Sequence, residues 1–209
     1  NKPLKLDCGK TINNFPLAYE TYGSLNEIKD NAILVFHALT GDQYVTGINP
    51  VTKKEGWWIH AVGPDKSIDT KKYFVICANV IGGCMGSFGP SHKNEETNKV
   101  YGTDFPVITI NDMVNDQVNL LDHFEIKKLF SVIGGSMGGM QVLQFVSNFP
   151  DKTRTAVPIA CTYSHSAQNI ALNELGRQAI TADHNWLAGE YSSRNKVPDK
   201  GLAVARMAA

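Results

Sequence analysis

Apolar positions along the chain fall into two rhythms. Four runs, Ala32–Phe36 and residues 73–78, 129–133 and 155–160, are almost unbroken and have the length of a strand. Such runs suit strands covered on both faces. Pro158 weakens the last, because proline offers a ladder no N–H donor. Between the runs the period lengthens. Residues 110–124 place Met113, Val114, Val118, Leu120 and Leu121 on most of one helical face, and residues 137–149 place Met140, Leu143 and Val146 at helical spacing before Pro150. Strands alternating with helices predict the α/β class, with a mostly parallel sheet and helices on both faces.

The flanking segments extend this outline. Residues 4–8 and 16–22, around the turn-rich Gly9-Lys10 and Asn13-Asn14, predict an antiparallel pair at the start of the sheet. Residues 41–72 and the glycine-rich 82–90 lie outside the alternation, and long ordered loops of this kind often shape a site. From Ser166, a candidate N-cap, the stripe Ile170, Ala171, Leu175 and Ala179 predicts a helical insertion, potentially a lid. The expected organisation is therefore a core over residues 1–162 and the beginning of a lid insertion over 163–209. Residues 192–200 are the most linker-like piece.

Composition narrows the class. Among 209 residues, 43% are hydrophobic and 19% charged, enough apolar material for one buried core. Twenty basic residues balance twenty acidic ones, so no overall field recruits a polyanion or an acidic membrane surface. Cys8, Cys77, Cys84 and Cys161 form no C-x-x-C pair, which argues against a zinc site and a disulfide framework and for reduced thiols in the cytoplasm. No apolar stretch approaches the roughly 18 residues that span a bilayer. The expectation is a soluble protein with neither nucleic-acid nor membrane partners, and without metal or bound cofactor.

The candidate chemistry lies in Gly134-Gly135-Ser136-Met137-Gly138. This G-x-S-x-G follows an apolar strand directly and opens an amphipathic helix, the context of a nucleophile elbow. A sharp strand-to-helix turn projects the serine above the sheet and needs small residues two positions to either side. The helix that starts there aims free N–H groups and a positive dipole end at a developing oxyanion. A glycine-rich turn can instead serve packing or cradle a phosphate, but neither the Lys-Ser/Thr end of a P-loop nor the spacing G-x-G-x-x-G is present. An oxyanion hole takes one N–H from the residue after the nucleophile, here Met137, and one from the loop after an earlier strand. Leu39, in His37-Ala38-Leu39-Thr40-Gly41, is placed by sequence to give the second. His37 by itself reads as a hydrogen-bonded structural histidine.

These residues carry a family resemblance. His37 to Asp42, Gly56-Trp57-Trp58, Gly63-Pro64, Ile68-Asp69-Thr70, Gly82-Gly83-Cys84, Tyr101 to Pro106, Gly134 to Gln141 and Ser166 to Ala171 occur in the order of the homoserine O-acetyltransferases, which have the α/β-hydrolase fold. The chain resembles that family over nearly its whole length. The resemblance implies a ping-pong reaction of methionine biosynthesis: Ser136 takes acetyl from the co-substrate acetyl-CoA and passes it to the L-homoserine hydroxyl. It implies Leu39 and Met137 as oxyanion amides, Arg206 as the ligand of the amino acid's carboxylate, and a homodimer when full length. A guanidinium fork suits a carboxylate, although Arg206 taken alone reads as a solvated or salt-bridging residue.

A triad in this fold runs Ser, then Asp or Glu, then His. Beyond Ser136 the only Asp and His residues are Asp151, Asp183, Asp199, His165 and His184, at the sheet edge or in the inserted segment. Asp183-His184 reads as a surface turn. The expectation is that the acid and the histidine lie beyond Ala209, that the 209-residue piece is inactive or nearly so, and that its sheet edge is open to association. Alternatives are a serine esterase or thioesterase of the same fold, a relative using succinyl-CoA or serine, or a non-catalytic binding protein.

Overall fold

The computed structural model describes residues 2–208. Two antiparallel segments come first, β1 (Leu4–Lys5) and β2 (Thr11–Ile12), which pair with each other. They are followed by β3 (Tyr19–Tyr22), β4 (Ala32–Phe36), the short parallel pair β5 (Val62–Gly63) and β6 (Ile68–Asp69), and β7 (Phe74–Ala78). Helix α1 (Ile110–His123), β8 (Leu129–Gly135), α2 (Met137–Asn148) and β9 (Thr153–Ile159) complete the central layer. Helices α3 (Ala167–Thr181) and α4 (Asp199–Ala208) come last. The chain divides into one unit of Asn1–Phe88 with Pro106–Thr162 and a second of Gly89–Phe105 with Tyr163–Ala209.

The first unit holds a five-stranded sheet in the order β3-β7-β4-β8-β9. β4 is parallel to both β7 and β8, β9 is parallel to β8, and β3 is antiparallel to β7. The expected pairing of residues 4–8 with 16–22 is corrected here. Leu4 pairs with Ile12, and Tyr19 with Ala78 more than fifty residues away. A turn signal advertises a local hairpin, whereas a β3 to β7 pairing is set by burial far along the chain, which the local pattern does not encode.

The all-apolar runs are explained by cover on both faces. Leu34, Phe36, Ile76 and Val132 meet Val114, Leu120 and Leu121 of α1 and Val142 and Phe145 of α2 in one core cluster. On the other side Ile33, Val35, Val75 and Cys77 meet Val45, Trp58, Val62 and Ile68. Among the described residues of this unit the two helices thus share one face, and the second face is covered by the segment between β4 and β7. Helix α1 starts where the sequence places it, because Thr109 and Asp112 form a reciprocal capping box: the Thr109 Oγ1 accepts the Asp112 N–H, and Asp112 Oδ2 accepts the Thr109 N–H at 2.9 Å. Pro158 sits in β9 opposite Gly134, on a strand paired along one edge only, where a missing donor is tolerated.

In the second unit Ser166 caps α3 by accepting the Asn169 N–H at 3.2 Å. Asp183 then joins the end of α3 to the start of α4, accepting the Asn185 N–H on one oxygen and the Gly201 N–H on the other, at 2.9 and 2.8 Å. These hydrogen bonds hold its carboxyl below the usual range. No helix among the described residues is long and apolar enough to cross a membrane.

Candidate active site

β4 and β8 lie side by side and run the same way, with Phe36 opposite Gly134, so the loop after β4 and the turn after β8 emerge at the same end of the sheet. Ser136 occupies that turn. It is exposed, and its backbone has φ 56 and ψ −121. A left-handed φ at a residue with a Cβ costs on the order of 1–3 kcal/mol and persists only where the surroundings fix it. They do so here. The Ser136 N–H donates to the Ile159 carbonyl at the end of β9, at 3.0 Å, and the Ser136 carbonyl accepts the Met140 N–H at 3.1 Å as the first bond of α2.

Sterics complete the elbow. A Cβ on Gly138 would lie 2.1 Å from the Phe36 carbonyl oxygen, and one on Gly134 would lie 2.5 Å from the Gly138 carbonyl. Glycine is required at both positions because β4, β8 and the first turn of α2 approach backbone to backbone. That approach brings the loop after β4 beside the start of α2. Met137 is the first helical residue, whose N–H has no carbonyl four residues back within the helix. Leu39 sits in a turn closed by the Gly41 N–H on the Ala38 carbonyl, at 2.8 Å, with its side chain 71% exposed.

His37 anchors that loop from below. It is buried, Nδ1 lies 2.7 Å from the Ala38 carbonyl, and Nε2 accepts the Val80 N–H at 3.1 Å. An accepting Nε2 assigns the proton to Nδ1, so the ring is neutral with both nitrogens engaged, and burial lowers its pKa. The structural reading of His37 holds. Asn79 is also buried; its Oδ1 accepts the Met85 N–H, and its carbonyl accepts the Ser87 hydroxyl, tying the 82–88 loop to the same point. Sequence reading missed the Ile159 carbonyl and the Asn79–Val80–Ser87 anchor. The first is a backbone group without a residue signature, and the second depends on β4 and β7 being neighbours.

The remaining segment of the loop is also ordered by polar contacts. Asp42 accepts the Tyr44 N–H and the Asn49 amide, and Trp57 donates its indole N–H to the Asp42 carbonyl at 2.9 Å. The Tyr22 hydroxyl accepts the Val45 N–H, and burial raises its pKa to about 12. Arg206 lies in the second unit, exposed in the last turn of α4, and no described carboxylate pairs with it. No group of three or more His, Cys, Asp or Glu suited to a metal occurs among the described residues. The arrangement can present a serine hydroxyl to a carbonyl carbon with backbone donors alongside, which is the geometry of acyl transfer through an ester intermediate.

The chain is 77% identical over all 209 residues to a homoserine O-acetyltransferase from Pelagibacter ubique, of which it covers 56%. Among solved structures it is similar to a homoserine O-acetyltransferase from Bacillus anthracis, with TM-score 0.91 and 30% identity over 100% of this chain and 57% of that one. It is also similar to esterase E22, with TM-score 0.88 and 35% identity over 99% and 58%. The chain spans about half the length of the curated relatives it matches. A family described as alpha/beta hydrolase fold matches residues 31–208, in keeping with the strand order and the elbow at Ser136, and the chain belongs to that family.

Proposed function

We propose that the protein carrying this chain is a homoserine O-acetyltransferase. In this reading the Ser136 hydroxyl attacks the thioester of acetyl-CoA, coenzyme A leaves, and the acetyl ester formed on Ser136 is taken by the hydroxyl of L-homoserine. The amides of Leu39 and Met137 hold the oxyanion, each removal costing on the order of 10² to 10³ in turnover. Arg206 takes the homoserine carboxylate through its guanidinium fork. The acid and histidine that activate the serine are assigned to sequence outside these 209 residues, as the greater length of the relatives allows. A homodimer and a cytoplasmic location belong to the same reading and rest on the family resemblance.

The observation that carries the proposal is an exposed Ser136 held at φ 56 between β8 and α2, in a chain 77% identical to a protein of that name. A serine esterase is the second reading, supported by the 35% identity to esterase E22. The two differ in what resolves the ester. Coenzyme A release from acetyl-CoA that depends on added L-homoserine, with an acetyl adduct on intact protein that is lost in Ser136→Ala, supports the transferase. Release at the same rate without homoserine supports the esterase, and the absence of any adduct rejects both.

A further inference from the structure

Two aspartates one helical turn apart on α1 are buried to the same degree and treated very differently. Asp112 is saturated, capping Thr109 and accepting the Asp7 N–H at 2.9 Å. Asp116 is 2% exposed, and its Oδ2 finds no hydrogen-bond partner among the described residues. An unpaired buried carboxylate is costly, so such a group either stays protonated or awaits a partner. Asp116 forms part of the wall of a cleft of about 540 Å³ between α1, β3 and the segment before β3. None of the residues lining this cleft belongs to the elbow or to the loop after β4.

The lining has a definite chemistry. Phe15, Leu17 and Leu120 give it an apolar side, Tyr19 adds an aromatic ring, and Asn119 and His123 add polar groups. Asp122 is already satisfied by Lys2 at 2.7 Å. Lys2 is thus paired with Asp122, whereas Asp116 has no charged partner among the described residues. A cleft of this size, with an apolar side, an aromatic edge and one acid that has no charged partner, suits a small cation rather than an anion.

We propose that this cleft binds an organic ammonium carried on a flat apolar body, with the Asp116 carboxylate as its charge partner. The proposal does not rest on the acyl-transfer reading. Burial raises the Asp116 pKa to about 7. An ammonium binds the ionised form, so affinity rises as pH increases through that value. The other titratable groups facing the cleft are Lys2, Tyr19, Asp122 and His123, and the hydrogen bond from Lys2 holds the Asp122 carboxyl below the usual range.

The test is a ligand-observed NMR titration of the purified protein with 2-phenylethylammonium, and with 2-phenylethanol as a neutral analogue of the same shape. The expected result at pH 8 is saturable ammonium binding with Kd on the order of 1 mM or tighter, as a ligand of this size allows. The alcohol should bind at least about tenfold more weakly, and ammonium affinity should fall about tenfold or more at pH 5.5. Asp116→Asn should erase both the preference for the cation and the rise in its affinity from pH 5.5 to pH 8. Should Asp116→Asn not fold, as judged by circular dichroism, Leu17→Trp fills the cleft and should abolish binding of both probes. Equal affinity for the two probes, no saturable binding of either, or ammonium binding unchanged in Asp116→Asn or in Leu17→Trp would overturn the proposal.

Discussion

β8 and β9 are neighbours of equal length in the same sheet, paired in parallel from Leu129 opposite Thr153 to Gly135 opposite Ile159. Their surroundings are opposite. β8 has a strand on each edge, and its inner residues Val132 and Gly134 are buried. β9 is paired along one edge, and six of its seven residues, among them Ala156, Val157, Pro158 and Ile159, are exposed. Both strands lead into a residue with left-handed φ, Ser136 at 56 and Ala160 at 45. Only the first continues into a helix wedged against a second strand. The left-handed turn at Ser136 is thus fixed by neighbours on both sides, whereas the one at Ala160 follows a strand paired along one edge. The more open strand still contributes, through the Ile159 carbonyl that accepts the Ser136 N–H.

The largest expected effect is at the end of β8. Ser136→Ala in the active protein should lower the turnover of acetyl-CoA by a factor on the order of 10⁴ to 10⁶, leaving what oxyanion donors and binding supply. Steady-state coenzyme A release measures it, and a loss below tenfold would remove Ser136 from the chemistry. The next effect contrasts the strands through the same kind of change, a small residue made larger. Gly138→Ala pushes a Cβ against the Phe36 carbonyl and should cost about 2–4 kcal/mol, because the obstacle is backbone. Ala156→Val on β9 adds volume toward solvent and should stay within about 0.5 kcal/mol. Urea midpoints at constant slope compare the two, and equal shifts would dissolve the contrast.

Much of this was legible in the residues, for identifiable reasons. Strand, small residues, serine and helix are contiguous from Leu129 to Asn148, so the elbow is a local signal, and Ser166 was readable as a helix start for the same reason. The partner of β3 was not, since a pairing of Tyr19 with Ala78 depends on which strands become neighbours. The cover over Ile33 and Val35 was not, because Val45, Trp58 and Val62 belong to a segment without helical or strand periodicity. The network of Asp7, Thr109, Asn111 and Asp112 joins residues about a hundred positions apart, and each of them looks like an ordinary surface polar residue in sequence. Asp116 was invisible as a special group, because the apolar pattern of α1 reads the same whether that position is solvated or buried without a partner.

Smaller effects sharpen the contrast further. Val132 is fully buried and Val157, a strand away, is 41% exposed. Truncating Val132 to alanine should cost about 2 kcal/mol, from two lost methyl groups and the cavity left behind, against about 0.5 kcal/mol or less for Val157→Ala. Chemical denaturation of the two variants checks the ratio, and a Val157 cost equal to that of Val132 would mean that β9 is covered in solution.

The same exposure leads to the mildest change. The outer edge of β9 pairs with no strand among the described residues, and Val157 and Ile159 are exposed on that strand, which makes it a template on which another strand can pair. A lysine there places a charge that a second chain would have to desolvate, while the solvated side chain leaves folding of its own chain almost untouched. Val157→Lys in the 209-residue chain should therefore shift stability by no more than about 0.5 kcal/mol and lower the associated fraction seen by light scattering at equal concentration. The matching substitution Val132→Lys on β8 should instead prevent folding, since it buries an unpaired ammonium. If Val157→Lys associates as readily as the parent chain, the open edge of β9 is not the surface through which the chains meet.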